Sequence, residues 1–242
     1  MENIENKENN VDQVIKEKKQ AHREIKRMVI TAIFAALAIV VGYIEIPWFP
    51  PFVFLKLDFS EVVILASLIT LGFNRTVIVI LLRSGVRWLI SSGNTDIPFP
   101  FFGELLAITA SLVIITSAVL AFKITKTHQT PLFLTDKKER EIETISLTKQ
   151  FIHLVIIVFI FTLFMTLLNA MITFPAMLSG GKYYLATEAF KAGFSDGLGL
   201  FESVGHYVKI MATAIAPFNI VKGVLTMIVF SLLHGRIAQL EV

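Results

Sequence analysis

The stretch whose reading decides the fold is "AIAPFNIVKGVLTMIVFSLLHGRI", Ala214 to Ile237. It is long enough to cross a bilayer, which takes about 20 apolar residues, yet Asn219 and Lys222 stand three apart within it. An ionisable side chain at bilayer depth costs roughly 2.5 to 3.5 kcal/mol even on the lenient insertion scale. Something has to offset the cost of Lys222, a nearby carbonyl for one, unless the side chain, near a helix end, simply snorkels to the interface. Pro217, just upstream, removes one backbone hydrogen bond and frees such a carbonyl.

The rest of the chain sets that stretch in a membrane. Of its 242 residues 55% are hydrophobic and 17% charged, with a mean hydropathy of +0.71. A soluble domain holds about 45 to 50% apolar and about 25% charged residues, so the composition is that of an integral membrane protein. The 21 Phe residues fit that reading, and the absence of Cys excludes disulfides and thiol-based metal or redox sites. A net charge of +3 says little about partners by itself.

Apolar segments at about Met28 to Pro47, Ser60 to Phe73, Thr76 to Ser92, Phe101 to Ile124, Phe151 to Phe174 and Tyr207 to Leu233 give an all-α protein of six transmembrane helices. The second is short for an upright span and either starts earlier or is shielded by its neighbours. Residues 1–27, almost wholly polar, are too long and too acidic for the short basic start of a signal peptide and read as a cytoplasmic tail, with helix expected near its end. The spans then form a domain over 28–237, with a cytoplasmic connector at 125–150, a long external loop at 176–206 and a short tail at 238–242. Lys and Arg gather in the tail, at Arg75, between Lys123 and Gln150, and at Arg236, while "GNTDIPFP" has none. The positive-inside rule therefore puts both termini in the cytoplasm, at the cell membrane.

Polar residues within the spans define candidate sites. Asn219 and Lys222 share a helix face, and Thr162, Thr166, Asn169 and Thr173 step along one helical stripe of span five. By the expected topology the two faces can converge on a pocket opening outward, although Ser, Thr and Asn also join membrane helices for packing alone. Arg83 and Arg87 lie four apart in span three, with Glu104, Asp58 and Glu61 as candidate partners. An ion-pair network is the simpler reading, and an anion site the alternative. In span one, Ala32 and Ala36 have the small-xxx-small spacing for close helix approach, with Ala35, Ala38 and Gly42 as a rival small face. The link "PWFPPFVFLKLDF" is proline- and aromatic-rich, either an interfacial belt or the lid over a flat ligand. No phosphate loop, nucleophile elbow or H-E-x-x-H pair occurs, so no catalytic constellation is present.

Three stretches, "FLKLDFSEV" (Phe54 to Val62), "LLNAMITFP" (Leu167 to Pro175) and above all "PFNIVKG" (Pro217 to Gly223), resemble the substrate-binding S-components of energy-coupling factor vitamin transporters, and within them the riboflavin-specific members. The resemblance runs from about Met28 to Ile237. It implies a six-helix fold binding riboflavin from outside, in a pocket made by spans four to six and the first external loop. Carried over residue by residue, Asn169, Asn219 and Lys222 contact the flavin; Lys56, Asp58, Phe59 and Thr173 are further candidates from the same stretches. Ala32 and Ala36 match the motif that docks a membrane-embedded coupling subunit.

The implied partners are riboflavin, that coupling subunit, two ATPase subunits and the lipid bilayer, with no nucleic acid. No cofactor is implied, riboflavin being the transported ligand, and no enzyme activity. The 176–206 loop, the extended tail and the paired arginines depart from the family pattern. They leave open another vitamin, or a phosphorylated flavin held by Arg83 or Arg87. Outside the family, the alternatives are a membrane enzyme acting on a lipid phosphate and a purely structural membrane partner.

Overall fold

The computed structural model describes residues 2–47, 55–90, 99–127, 145–178 and 203–238, and the side chains of these apart from 2–12 and 235–238. Most of the proline-rich link, of the 125–150 connector and of the 176–206 loop, and the end of the C-terminal tail, lie outside the described residues.

Helix α1 runs unbroken from Glu2 to Gly42. The tail, expected to be helical near its end, is helical from Glu2 onward and continuous with the first apolar segment. Lys, Glu and Gln are good helix formers, and the pair Arg27–Glu24, one turn apart at 2.5 Å, ties neighbouring turns together. Glu24 also pairs with Arg75 of α3 (Phe73–Ile90). The first apolar segment does not stay helical to Pro47: after Gly42 the chain turns and Glu45–Pro47 forms a short strand, β1. It pairs antiparallel with β2, Lys56–Asp58, in the register Glu45 to Asp58.

Asp58 ends β2 and starts α2 (Ser60–Leu71), accepting a hydrogen bond from the Ser60 backbone N–H at 3.1 Å. Asp in that place satisfies an otherwise orphaned amide and complements the helix dipole. Gly72 separates α2 from α3 with a φ of 82°, a left-handed value that costs glycine little. Helix α4 covers Phe102–Ile124, and α5, Leu147–Leu168, starts at Ser146, whose hydroxyl accepts from the Lys149 amide.

Beyond α5 the chain makes a π-helical turn at Asn169–Thr173 and continues as α6, Phe174–Leu178. A second π turn, Met211–Ile215, joins α7 (Val204–Ile210) to α8 (Ala216–Ala238). π turns are rare single-turn bulges and concentrate at functional sites.

Among the described residues four stretches are long and apolar enough to cross a membrane: Gln13–Gly42, Phe102–Ile124, Leu147–Met177 and Val204–His234. Helix α2 is apolar but has only 12 residues, and α3 carries three arginines. Helix α2 is the innermost element, buried along nearly its whole length and packed on α1, α3, α4 and α8. Ile64, Leu65, Leu68 and Ile69 join Ile114, Ile115, Ile157, Phe161, Met227 and Phe230 in the main core. Large apolar side chains such as Leu81, Leu89, Phe159, Leu163, Leu167 and Leu232 stand exposed on the outside. An apolar exterior on this scale fits a lipid surround, where backbone groups must be satisfied within each helix.

Candidate ligand-binding site

A cavity of about 260 Å3 is walled by six parts of the chain, Met177 of α6 among them. Helix α4 contributes Gly103, Glu104, Leu106, Ala107 and Ala110, while the hairpin and α3 contribute Glu45, Leu55, Lys56, Asp58 and Arg87. Helix α5 with its π turn supplies Phe161, Met165, Asn169 and Thr173, and α8 supplies Phe218, Asn219 and Lys222. Six of the seven residues singled out in the sequence thus meet around one space. The seventh, Phe59, sits at the start of α2 and is not among the lining residues.

Lys222 is held by Asp58, Nζ to Oδ2 at 2.9 Å, with the two side chains 13% and 16% exposed. Its charge is offset by a carboxylate, where a ligand or a carbonyl is expected from the sequence. The two residues come from ends of the chain 164 positions apart. Burial pushes the Asp58 carboxyl up, but the Lys222 ammonium, the Ser60 hydrogen bond and the Arg83 charge outweigh it and hold the group well below the usual carboxylate range.

Asn219 donates from Nδ2 to the Thr166 hydroxyl at 3.0 Å, bridging α8 to α5. Asn169, Thr173 and Asn219 are all buried. The expected threonine stripe is divided: Thr166 serves the helix interface and Thr173 faces the cavity, while the Thr162 and Thr173 hydroxyls are buried without a hydrogen-bond partner among the described residues. Close to the site, the Tyr207 hydroxyl donates to the Ala170 carbonyl within the π turn. It thereby takes up a carbonyl that the wider turn re-aims, and pins α7 to the end of α5.

The arginines form ion pairs. Arg83 lies against Glu61 at 3.5 Å with both side chains almost fully buried, and donates to the Ser60 hydroxyl at 2.9 Å. Arg87 is a hub. Its Nε meets Glu104 Oε1 at 3.1 Å, its Nη2 meets Glu45 Oε1 at 3.2 Å, and its Nη1 reaches the Gly42 carbonyl at 3.4 Å. Asp58, one of the candidate partners for these arginines, is the partner of Lys222 instead. Glu45 also takes Lys56 at 2.5 Å across the hairpin. Glu45 and its neighbours on the α4 wall were not foreseen as site residues; only the paired arginines signalled that carboxylates gather there.

Ala32 and Ala36 are exposed on the outer face of α1, beside Ile33, Leu37 and Val40. The rival small residues Ala35 and Ala38 are buried. Ala35 packs with Leu71 and Val79.

A bundle of apolar helices around a largely apolar cavity with a few convergent polar groups and balanced charges, Glu45, Asp58 and Glu104 against Lys56, Arg87 and Lys222, is the arrangement of a membrane protein that binds a small molecule. The chain belongs to the family of ECF transporter substrate-specific components, whose model matches residues 26–234. This is a family of substrate-binding transport components, not of enzymes. The chain is 28% identical over 216 residues, 88% of its own length and 91% of the other's, to the riboflavin transporter RibU of Staphylococcus aureus (strain TCH60). Its fold is that of a solved S component of a bacterial ECF transporter, with a TM-score of 0.57 at 24% identity, covering 89% of this chain and 96% of that one.

Proposed function

We propose that this S-component binds riboflavin from the outer face of the cell membrane and delivers it inward together with a membrane-embedded coupling subunit and two ATPase subunits. The observation that carries the reading is the convergence of Asn169, Asn219 and Lys222 on one cavity in a chain 28% identical to a riboflavin transporter. An isoalloxazine ring presents carbonyls, ring nitrogens and one imide N–H along one edge. Amide groups both donate and accept, and an ammonium donates, so this set suits that edge. Phe161, Met165 and Phe218 offer apolar cover to the ring faces. At about 260 Å3 the cavity is just under the roughly 300 to 1,000 Å3 of ligand pockets, so a three-ring ligand enters by widening it. A phosphate anchor is disfavoured, because Arg83 and Arg87 are already engaged by Glu61, Glu45 and Glu104.

In the proposed topology all six spans cross, α1, α2, α3, α4, α5 with α6, and α7 with α8, with both termini in the cytoplasm. Helix α2, at roughly 18 Å, is shorter than the hydrocarbon core of about 30 Å, and its span is accommodated because α1, α3, α4 and α8 surround it. Ala32 and Ala36 form the docking face for the coupling subunit, since small outward-facing residues let a partner helix approach closely. An absorption spectrum of the purified protein, expressed in cells containing riboflavin, tests the ligand. A visible flavin band released on denaturation is expected; a colourless protein that leaves the fluorescence of added riboflavin unquenched overturns the assignment. Protease cleavage of the N-terminus from the outside of intact cells would overturn the topology.

A further inference from the structure

We infer that Glu104 is a ligand-binding residue whose carboxylate accepts hydrogen bonds from the hydroxylated side chain of the ligand, so that the site reads the ribityl tail as well as the ring. The inference rests on the flavin reading above. Glu104 lines the cavity from α4, a different element from those carrying Asn169, Asn219 and Lys222. Its Oε1 is fixed by Arg87 Nε at 3.1 Å and its side chain is only 12% exposed. Its Oε2 is buried and has no hydrogen-bond partner among the described residues.

An ionised carboxylate can only accept, and leaving it buried without a donor is costly. The charged donors on the cavity wall are committed elsewhere. Lys222 is held by Asp58, Lys56 by Glu45, and Arg87 is shared among Glu104, Glu45 and the Gly42 carbonyl. Glu45, the neighbouring carboxylate, has both oxygens occupied, one by Arg87 and one by Lys56. Among the described residues of the cavity wall Glu104 Oε2 is therefore the carboxylate oxygen left for a ligand, beside the neutral Thr173 hydroxyl on the α5 side of the cavity, and an acceptor-only group matches a chain of hydroxyls better than the mixed edge of the ring. There is room for such a chain, since a Cβ added at the cavity-lining Gly103 would meet nothing within 4 Å.

The experiment compares riboflavin with lumiflavin, which has the same ring and a methyl group in place of the ribityl tail, by fluorescence quenching on the purified full chain. In Glu104→Gln, riboflavin affinity is expected to fall roughly tenfold to 100-fold while lumiflavin affinity stays within about twofold. Gly103→Val, which fills the open space and leaves the Glu104–Arg87 pair intact, is expected to give the same selective loss. It carries the test if Glu104→Gln does not fold. Unchanged riboflavin affinity in both variants overturns the inference. So does an equal loss for both flavins in folded protein, because the carboxylate would then merely hold Arg87 in place. If the unaltered protein binds neither flavin, the flavin reading itself falls and takes this inference with it; binding of both by the unaltered protein separates the two.

Discussion

Lys222 and Asp58 carry opposite charges in a place where neither could stay alone. Removing one partner of a buried pair leaves the other charge uncompensated, a loss of about 3 to 5 kcal/mol for full burial; both side chains keep some exposure, so Asp58→Asn should cost about 2 to 3. Thermal unfolding in detergent checks this, and Asp58→Asn combined with Lys222→Met should recover much of the loss. Asn219→Ala removes a group facing the cavity and the bond to Thr166. Riboflavin affinity should drop about fivefold to 150-fold, the range of 1 to 3 kcal/mol, as read by titration calorimetry. At this scale the sequence was informative on one side only. A lysine inside "PFNIVKG" announces itself because its burial needs an explanation. Asp58 ends a short strand in a proline- and aromatic-rich link, and only the tertiary fold brings it to Lys222. The same holds for Glu104, whose unsatisfied oxygen is a fact of three-dimensional geometry.

Gly223 shows how an element is placed so that such residues meet. A Cβ there would come within 3.3 Å of Val158 Cγ2 and 3.5 Å of Phe161 Cδ1, so glycine is what lets α8 lie close against α5, the pair that shares the Asn219–Thr166 bond. Gly223→Val should cost about 1 to 3 kcal/mol through overpacking and weaken flavin binding by spreading the helices, whereas Gly223→Ala should cost less; unfolding midpoints and titrations on both variants check the order. Long helices were legible from apolar run length, as with Phe102–Ile124. The π turns at Asn169 and Met211 were not, because an i→i+5 bond leaves no mark in composition or spacing. Nor were the three-residue strands, whose pairing depends on contacts outside their own sequence. The continuity of α1 through the tail was missed for a different reason. A polar helix has no apolar stripe to betray it, and its support comes from Glu24 reaching Arg75 on α3.

For the molecule as a whole, the outside is as apolar as the inside, and what sets the inside apart is its charge pairing and small residues. Helix α1 divides its alanines accordingly, Ala35 and Ala38 inward and Ala32 and Ala36 outward. Ala32→Trp or Ala36→Trp should leave riboflavin affinity unchanged and abolish uptake by cells, because the bulky ring keeps a partner helix at a distance; normal uptake would remove that face from the docking surface. Helix α1 has a further property. As one continuous 41-residue helix, it is about 60 Å long, twice the roughly 30 Å of a bilayer's hydrocarbon core. A rod that long behaves like the needle of a gauge, magnifying small rotations at its base into large displacements at its tip. A dye fixed near Glu2 should therefore share the slow tumbling of the embedded body and record its tilt, with a polarised emission that a dye on a loose tether would lose.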